Sequence, residues 1–204
     1  QRKVAKGEIK EITIFLENKS DYDIQREIIA AYTNNFRKIK IMGKEIDKKV
    51  ETIRGFIHNL IAVDILEHTS DSIVIQDFLD IDSTTVKKIV RRLDILIQTM
   101  LVDSKNTYKK DLSNSLTKRD QDVNRLSILA NRIVNYYLEN PERIKPDQPL
   151  KKIFQFQAIS DHLERLADES KRIARVWKVV KAPKTFHKKI ETIYSLIEKC
   201  YSQV

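Results

Sequence analysis

Several residue types that particular functions require are scarce in this sequence of 204 residues. Cys200 is the single cysteine, which excludes an intramolecular disulfide and a multi-cysteine zinc site. Gly7, Gly43 and Gly55 are the three glycines, too few and too widely spaced for a glycine-rich phosphate-binding loop. Because proline is also rare, with four in the chain, most residues must lie in helices and strands. No apolar run approaches the roughly 20 residues that cross a bilayer.

Motifs for catalysis and export are missing from the sequence as well. The four histidines are scattered, and neither an HExxH motif nor a Ser-His-Asp order is present. We therefore predict a protein that is not an enzyme. No signal-peptide pattern is present, so we expect a cytoplasmic location. The sequence begins at Gln1 rather than Met, and one interpretation is a fragment of a longer chain.

The first 82 residues predict a small α+β module with the order βαβαββ. Strands are indicated by period-2 apolar patterns, and helices by apolar residues three and four apart. The strands are predicted at 9–17, 38–42, 63–67 and 72–77, and the helices at 21–35 and 45–60. The helical crossover predicts a parallel pair of strands, and the short link between the last two strands predicts a hairpin.

After Ser83 the apolar period becomes helical and stays so. Helices are predicted at 84–109, 111–139, 150–180 and 185–202. The first three have short links and predict an antiparallel three-helix bundle, so the fold class is mainly α with a preceding α+β module. The domains are predicted as 1–82, with 1–8 as a possible tail of an upstream domain, 83–181, and a C-terminal helix at 182–204.

Positive charge is concentrated in the second part of the chain, where Lys and Arg outnumber Asp and Glu by 25 to 14 from residue 83 onward. No acidic residue lies between Ser170 and Ile190. One interpretation is a solvated helix end, where cations suit the helix dipole. The other is a contact with an acidic protein surface, anionic lipid or nucleic acid. For this contact we predict Lys171, Arg172, Arg175 and Lys178.

Acidic side chains form a pattern on the predicted helix at 150–180. Glu164 and Asp168 are four residues apart and share one helical face, and Asp161 extends that face by one turn. On the helix before it, Asp120 and Asn124 repeat the spacing. If the two helices are antiparallel neighbours, the two groups face one open side of the bundle.

Like charges in such a row need a positive partner, and two kinds are open. The partner is a divalent or ferric cation held by oxygen ligands, with Mg, Mn, Fe or Zn favoured because cysteine ligands are lacking. Otherwise it is a basic side chain, with Arg119, Arg125 and Arg165 as candidates for weak surface salt bridges.

Two segments of the bundle resemble a known family. The helix segment 161–174, DHLERLADESKRIA, and the segment 119–126, RDQDVNRL, are similar to two helices of PhoU phosphate-signalling proteins. The resemblance covers residues 84–181, which is one three-helix PhoU repeat, and residues 185–204 could open a second repeat. Residues 9–80 resemble the middle segment of archaeal PhoU-like proteins, which often carry an AbrB-like DNA-binding domain upstream.

The resemblance implies a site and a role. The family's E/DXXXD pairs bind metal clusters, which here implies Glu164 with Asp168, and Asp120 with Asn124, where the family has a second Asp. It also implies an adaptor that restrains phosphate uptake through a phosphate transporter or signalling protein, with dimerisation through the exposed half of the bundle. The alternative functions are the sensing part of an AbrB-type transcription regulator, with DNA bound by a missing N-terminal domain, and a metal-dependent hydrolase.

Overall fold

The computed structural model describes residues 10–144, 146, 148–180 and 183–201, without the side chains of Lys178 and Lys184. The predicted tail at 1–8 lies outside the described residues. The chain forms two compact units: Gln1–Val86 with Ile128–Phe154, and Lys87–Ser127 with Gln155–Val204. Residues 128–154 thus belong to the same compact unit as the sheet, and the predicted domain division stays a prediction. Three helices contribute residues to both units: Ser113–Glu139, Leu150–Val179 and, by its first residue alone, Val86–Asn106.

The first unit contains a four-stranded sheet: β1 Glu11–Phe15, β2 Lys38–Met42, β3 Val63–His68 and β4 Ser72–Asp77. The strand order is β1-β2-β4-β3. β1 and β2 are parallel, while β4 is antiparallel to both β2 and β3. The predicted parallel pair and the predicted hairpin are therefore confirmed.

Two helices accompany the sheet, α1 Asp21–Thr33 and α2 Val50–His58. α1 begins at a capping box, in which the Ser20 hydroxyl accepts the Asp23 backbone N–H and Asp23 accepts the Ser20 backbone N–H. The predicted helix at 45–60 is two segments, because a 3-10 turn at Ile46–Lys49 precedes α2. This tighter start, which is common at helix ends, allows both Ile46 and Ile53 to be fully buried.

The core of this unit is built from the period-2 residues of the strands and the inward stripes of the helices. Its sheet residues include Ile14, Ile39, Ile41, Ile73 and Ile75, and its helix residues include Ile24, Ile28, Ile53 and Ile57.

A buried ion pair that the sequence pattern does not predict lies in the same unit. Arg132 is fully buried, and its guanidinium donates to both carboxylate oxygens of Asp77 at 3.0 and 2.7 Å. The same guanidinium lies over the Tyr32 ring, 4.2 Å from its centroid. Arg37 adds a contact to Asp77 at 3.2 Å. Arg132 lies on the helix Ser113–Glu139, in the part that belongs to this unit, so its bond to the end of β4 joins that part of the helix to the sheet.

Four helices form the rest of the fold: α3 Val86–Asn106, α4 Ser113–Glu139, α5 Leu150–Val179 and α6 Lys184–Tyr201. Their bounds agree with the prediction to within a few residues. In the second unit, Arg119 near the start of α4 pairs with Asp103 near the end of α3, as expected for antiparallel neighbours. α6 packs on α3, where the hydroxyls of Ser104 and Tyr194 are 2.6 Å apart. No helix in the described part of the chain is long and apolar enough to cross a membrane.

Candidate carboxylate–lysine site

One face of α5 carries the side chains that the sequence singled out. Asp161, Glu164, Asp168 and Lys171 recur at gaps of three or four residues, which at about 100° per residue keeps them within an arc of about 80°. α4 contributes Asp120, which belongs to the same compact unit. Asp120, Glu164, Asp168 and Lys171 are here called the carboxylate–lysine site.

Lys171 lies between the two helices as the centre of this site. Its ammonium donates to Asp120 Oδ2 at 2.6 Å and contacts Asp168 Oδ1 at 2.6 Å. The pair with Asp120 is nearly closed to solvent, since the Lys171 side chain is 12% exposed and that of Asp120 6%. Short charge-assisted contacts in a water-poor place are much stronger than surface pairs. The ammonium is therefore the counter-charge that the acidic face requires.

Asp168 also forms an ion pair with Arg172, a solvent-exposed residue of α5. Its second oxygen, Oδ2, accepts a contact from Arg172 Nη2 at 2.8 Å, and Arg172 Nη1 reaches Glu169 at 2.9 Å. These pairs are three and four residues apart along α5, the usual spacing for helix ion pairs. Two basic residues of the predicted partner contact, Lys171 and Arg172, thus have partners within the chain.

The charge balance of the site is visible in its pKa values. Hydrogen bonding to Lys171 lowers the pKa of Asp168. Burial lowers the pKa of Lys171, but the hydrogen bonds to Asp120 and Asp168 outweigh it, so the pKa is raised overall. Burial raises the pKa of Glu164, and the charges of Asp168 and Asp120 raise it further. One ammonium thus leaves negative charge in excess at Glu164.

Comparison with known proteins identifies the domain that contains this site. Residues 90–176 match the family model of the PhoU domain. The match covers less than half of the chain, and it runs from α3 through α4 to near the end of α5. It confirms the predicted family resemblance for these helices. No curated protein and no solved structure matches the chain.

The predicted metal ligands of the PhoU domain do not all take part in the site. Asp120, Glu164 and Asp168 lie around Lys171, and Asp161 is near enough to raise the pKa of Glu164 by its charge. Asn124 is half-buried and makes no side-chain hydrogen bond to these groups in the described part of the chain. The sequence places an amide at that position, so it supplies no further charge.

The arrangement fits an ammonium rather than a metal ion. Among the described residues, no three Asp, Glu, His or Cys side chains come together closely enough to hold a metal. Lys171 instead takes one oxygen from each of two aspartates. The second oxygen of Asp120, Oδ1, is buried and has no hydrogen-bond partner. Metal binding by Glu164, Asp168, Asp120, Asn124 and Asp161 stays a prediction.

A basic side chain was one of the two predicted counter-charges, but the predicted candidates were other residues. Arg119 pairs with Asp103, and Arg125 contacts Asp122 at 3.6 Å. The sequence spacing does place Lys171 on the acidic face of α5, because it follows Asp168 by three residues and Glu164 by seven. It was grouped instead with the basic run and predicted as a contact for an anionic partner, because no acidic residue lies between Ser170 and Ile190. Sequence spacing alone does not distinguish these two environments.

The other two residues of the predicted partner contact are Arg175 and Lys178. Arg175 is exposed on α5, and the side chain of Lys178 lies outside the described residues. Further along the basic run, Lys188 and Lys189 are exposed on α6. Within the described part of the chain, Arg175, Lys188 and Lys189 have no ion-pair partner. The contact with an anionic partner stays a prediction.

Proposed function

We propose that this protein is a PhoU-type regulator in phosphate homeostasis, acting as a non-enzymatic adaptor on a phosphate transporter or its signalling protein. The observation that carries the proposal is the PhoU domain at residues 90–176, which coincides with the helices α3, α4 and α5. The sequence contains neither an HExxH motif nor a Ser-His-Asp order, which is consistent with a protein that acts by binding. The exposed basic residues Arg175, Lys188 and Lys189 offer a surface for an acidic partner.

A regulator of this kind acts by binding to components of the phosphate-transport system. Its effect on phosphate uptake is therefore measured in the cell of origin, where those components are present. We expect deletion of the gene to raise the uptake of labelled phosphate in phosphate-rich medium, because a restraint on the transporter is lost. Return of the wild-type gene should restore the restraint. Unchanged uptake in the deletion strain, with phosphate-responsive genes also unchanged, would contradict the proposal.

A direct contact with the transport system is the second part of the proposal. The intact protein should retain a phosphate-transport or signalling component in a pull-down, and that retention should weaken as salt rises because screening acts on exposed charges. Reversal of charge at Arg175, Lys188 and Lys189 should reduce it. Retention that is indifferent to both salt and these substitutions would exclude the basic surface as the contact.

We also propose that the protein forms a homodimer in the cytoplasm. The support is the single PhoU match in the chain, which fits an assembly of two copies. Apolar side chains on the described parts of α5 and α6 remain exposed, among them Val176, Phe186 and Leu196. Large exposed apolar areas are typical of surfaces that contact another protein.

A further inference from the structure

We propose that α6 pairs with α6 of a second copy of the chain, antiparallel and about a two-fold axis, through an apolar stripe along one face of the helix. This stripe, here called the α6 seam, consists of Phe186, Ile190, Ile193 and Ile197, all of which are at least partly exposed. The inference rests on the homodimer proposed above and gives that dimer a contact surface and a symmetry.

A different face of α6 packs within the chain. The buried Tyr194 places its hydroxyl 2.6 Å from that of Ser104 on α3, and the Tyr201 hydroxyl donates to Asp94 on the same helix at 2.7 Å. At about 100° per residue, the α6 seam is centred roughly 90° around the helix from these contacts. The contacts with α3 therefore fix the helix in place and leave the seam on a separate face.

The α6 seam borders an apolar groove between α5 and α6. The groove has a volume of about 310 Å³, and its lining includes Val176 and Val180 of α5 and Phe186 of α6. The two charged residues of the lining, Glu169 and Arg172, pair with each other at 2.9 Å. Grooves of this kind are recurrent binding places for an amphipathic helix. A helix that lies along the seam would cover the groove and bury its apolar lining.

The spacing of the seam residues suits a copy of the same helix. The gaps along the chain are four, three and four residues, so the pattern is the same in both directions, and alternating gaps of this kind allow side chains to interdigitate. With the axis between residues 191 and 192, Phe186 faces Ile197 of the partner subunit and Ile190 faces the partner's Ile193. Such a contact is isologous, because each surface is used once by both copies.

The exposed apolar surface is extensive enough for a dimer. Phe186, Ile193 and Leu196 are 48%, 50% and 59% exposed. α6 has 18 residues, which at 1.5 Å per residue gives a length of about 27 Å. A standard interface buries about 800 Å² on each partner, which corresponds to a patch roughly 30 Å across. The length of the helix thus matches what a stable contact requires.

The charges of α6 permit this pairing although the chain has a net charge of +9. Within the described part of α6, Lys189 is the only charged residue within about 80° of the centre of the seam. In the antiparallel arrangement Lys189 lies closest to Leu196 of the partner subunit rather than to another lysine. Its alkyl stem then packs on that leucine while the ammonium stays in water.

Two matched substitutions test the seam in the intact chain. Ile193→Asn places an amide at the middle of the seam, and we expect the dissociation constant of the dimer to rise at least about tenfold, because burial of the isoleucine is lost. Light-scattering chromatography over a dilution series measures it. Ile95→Asn is the control and should leave the constant unchanged, since Ile95 is similarly exposed, at 57%, but lies on α3.

The outcomes separate the seam from the dimer itself. If Ile193→Asn has the same dissociation constant as the wild type, or if both variants weaken the dimer equally, the seam is overturned and the dimer stands. If the wild type is monomeric at every concentration, the seam and the proposed dimer are both overturned. None of these results bears on phosphate uptake, which tests the regulator separately.

Cys200 offers a second test that substitutes no residue. It is the single cysteine of the chain and is exposed near the end of α6, so one nitroxide label can be attached there. In the antiparallel pair the two labelled positions are about 17 residues apart along the axis, and double electron–electron resonance should show a distance of about 25–30 Å. A distance below about 20 Å, as in a parallel pair, or a dimer without a peak at the expected distance overturns the antiparallel seam.

Discussion

At the scale of single residues, the carboxylate–lysine site shows how one ammonium balances the charge of two aspartates. Asp120 and Asp168 each supply one oxygen to Lys171, and the contact is nearly dry. A buried pair of this kind is often no more stable than an apolar pair, but removing one partner leaves an uncompensated charge. The stability of this region should therefore depend on both partners together.

Replacement of Lys171 by Met should lower the free energy of unfolding by about 2–4 kcal/mol, since Asp120 is left charged and buried. Urea unfolding in the presence of EDTA measures the loss without any metal contribution. The double variant Lys171→Met with Asp120→Asn should recover part of it, because the orphaned charge is gone. Lys188→Met, an exposed lysine, is the control and should change stability by less than about 0.5 kcal/mol.

Glu164 should destabilise the folded protein at neutral pH, because its pKa is raised from the ordinary value of 4.5 by burial and by neighbouring carboxylates. A raised pKa means that the folded state binds the proton more tightly. Its contribution is fully favourable below the unfolded pKa and is lost as the pH rises through the folded value.

Glu164→Gln should therefore be more stable than the wild type at pH 7, and the difference should shrink as the pH approaches 4.5. Urea unfolding from pH 4 to pH 8 in EDTA measures it. Glu17→Gln removes an exposed acid elsewhere and should show no such trend. A variant that is less stable than the wild type at pH 7 would mean that Glu164 makes favourable contacts instead.

At the scale of elements, the part of α4 in the first unit is joined to the sheet by charge as well as by apolar packing. Arg132 donates two hydrogen bonds to Asp77 at the end of β4, and Asn135 donates one to the Thr33 carbonyl at the end of α1. Arg132→Met should lower the free energy of unfolding by about 3–5 kcal/mol, because Asp77 stays buried and loses its bidentate partner, keeping the Leu79 backbone N–H and the half-exposed Arg37.

The same substitution at an exposed arginine provides the comparison for Arg132. Arg26→Met on α1 should cost less than about 1 kcal/mol, since that residue is exposed and its guanidinium lies over the Tyr22 ring, 5.6 Å from the centroid. Thermal and urea unfolding of the two variants measure the difference. Similar losses in both would show that the bond between Arg132 and Asp77 contributes little to stability.

The elements themselves were predictable from the sequence, whereas the pairing of side chains was not. Periodicity predicted all four strands and all six helices described by the structure, because each buried face repeats along the chain. Lys171 and Arg132 were missed for the same reason: each is a cation whose partner on another element is 51 or 55 residues away in sequence. Such partners depend on how elements pack, and one sequence does not encode that arrangement locally.

At the scale of the whole molecule, the charge distribution is the feature most closely tied to the proposed role. The net formal charge is +9, and the excess of Lys and Arg lies beyond residue 82. A basic surface accelerates encounter with an acidic partner but also disfavours the approach of a second copy with the same charge. The proposed homodimer must therefore depend on apolar contact and should be favoured by salt.

The mass of the protein in solution tests that expectation. A chain of 24.0 kDa should elute as a species of twice that mass in light-scattering chromatography, and the dimer fraction should rise with salt, because screening reduces the repulsion between like charges. Phosphate-transport partners should show the opposite trend, since their attraction to the basic surface is screened. A monomer at every salt and protein concentration would exclude the dimer while leaving the regulatory role intact. A dimer that dissociates as salt rises would instead indicate an interface held by ion pairs rather than apolar contact.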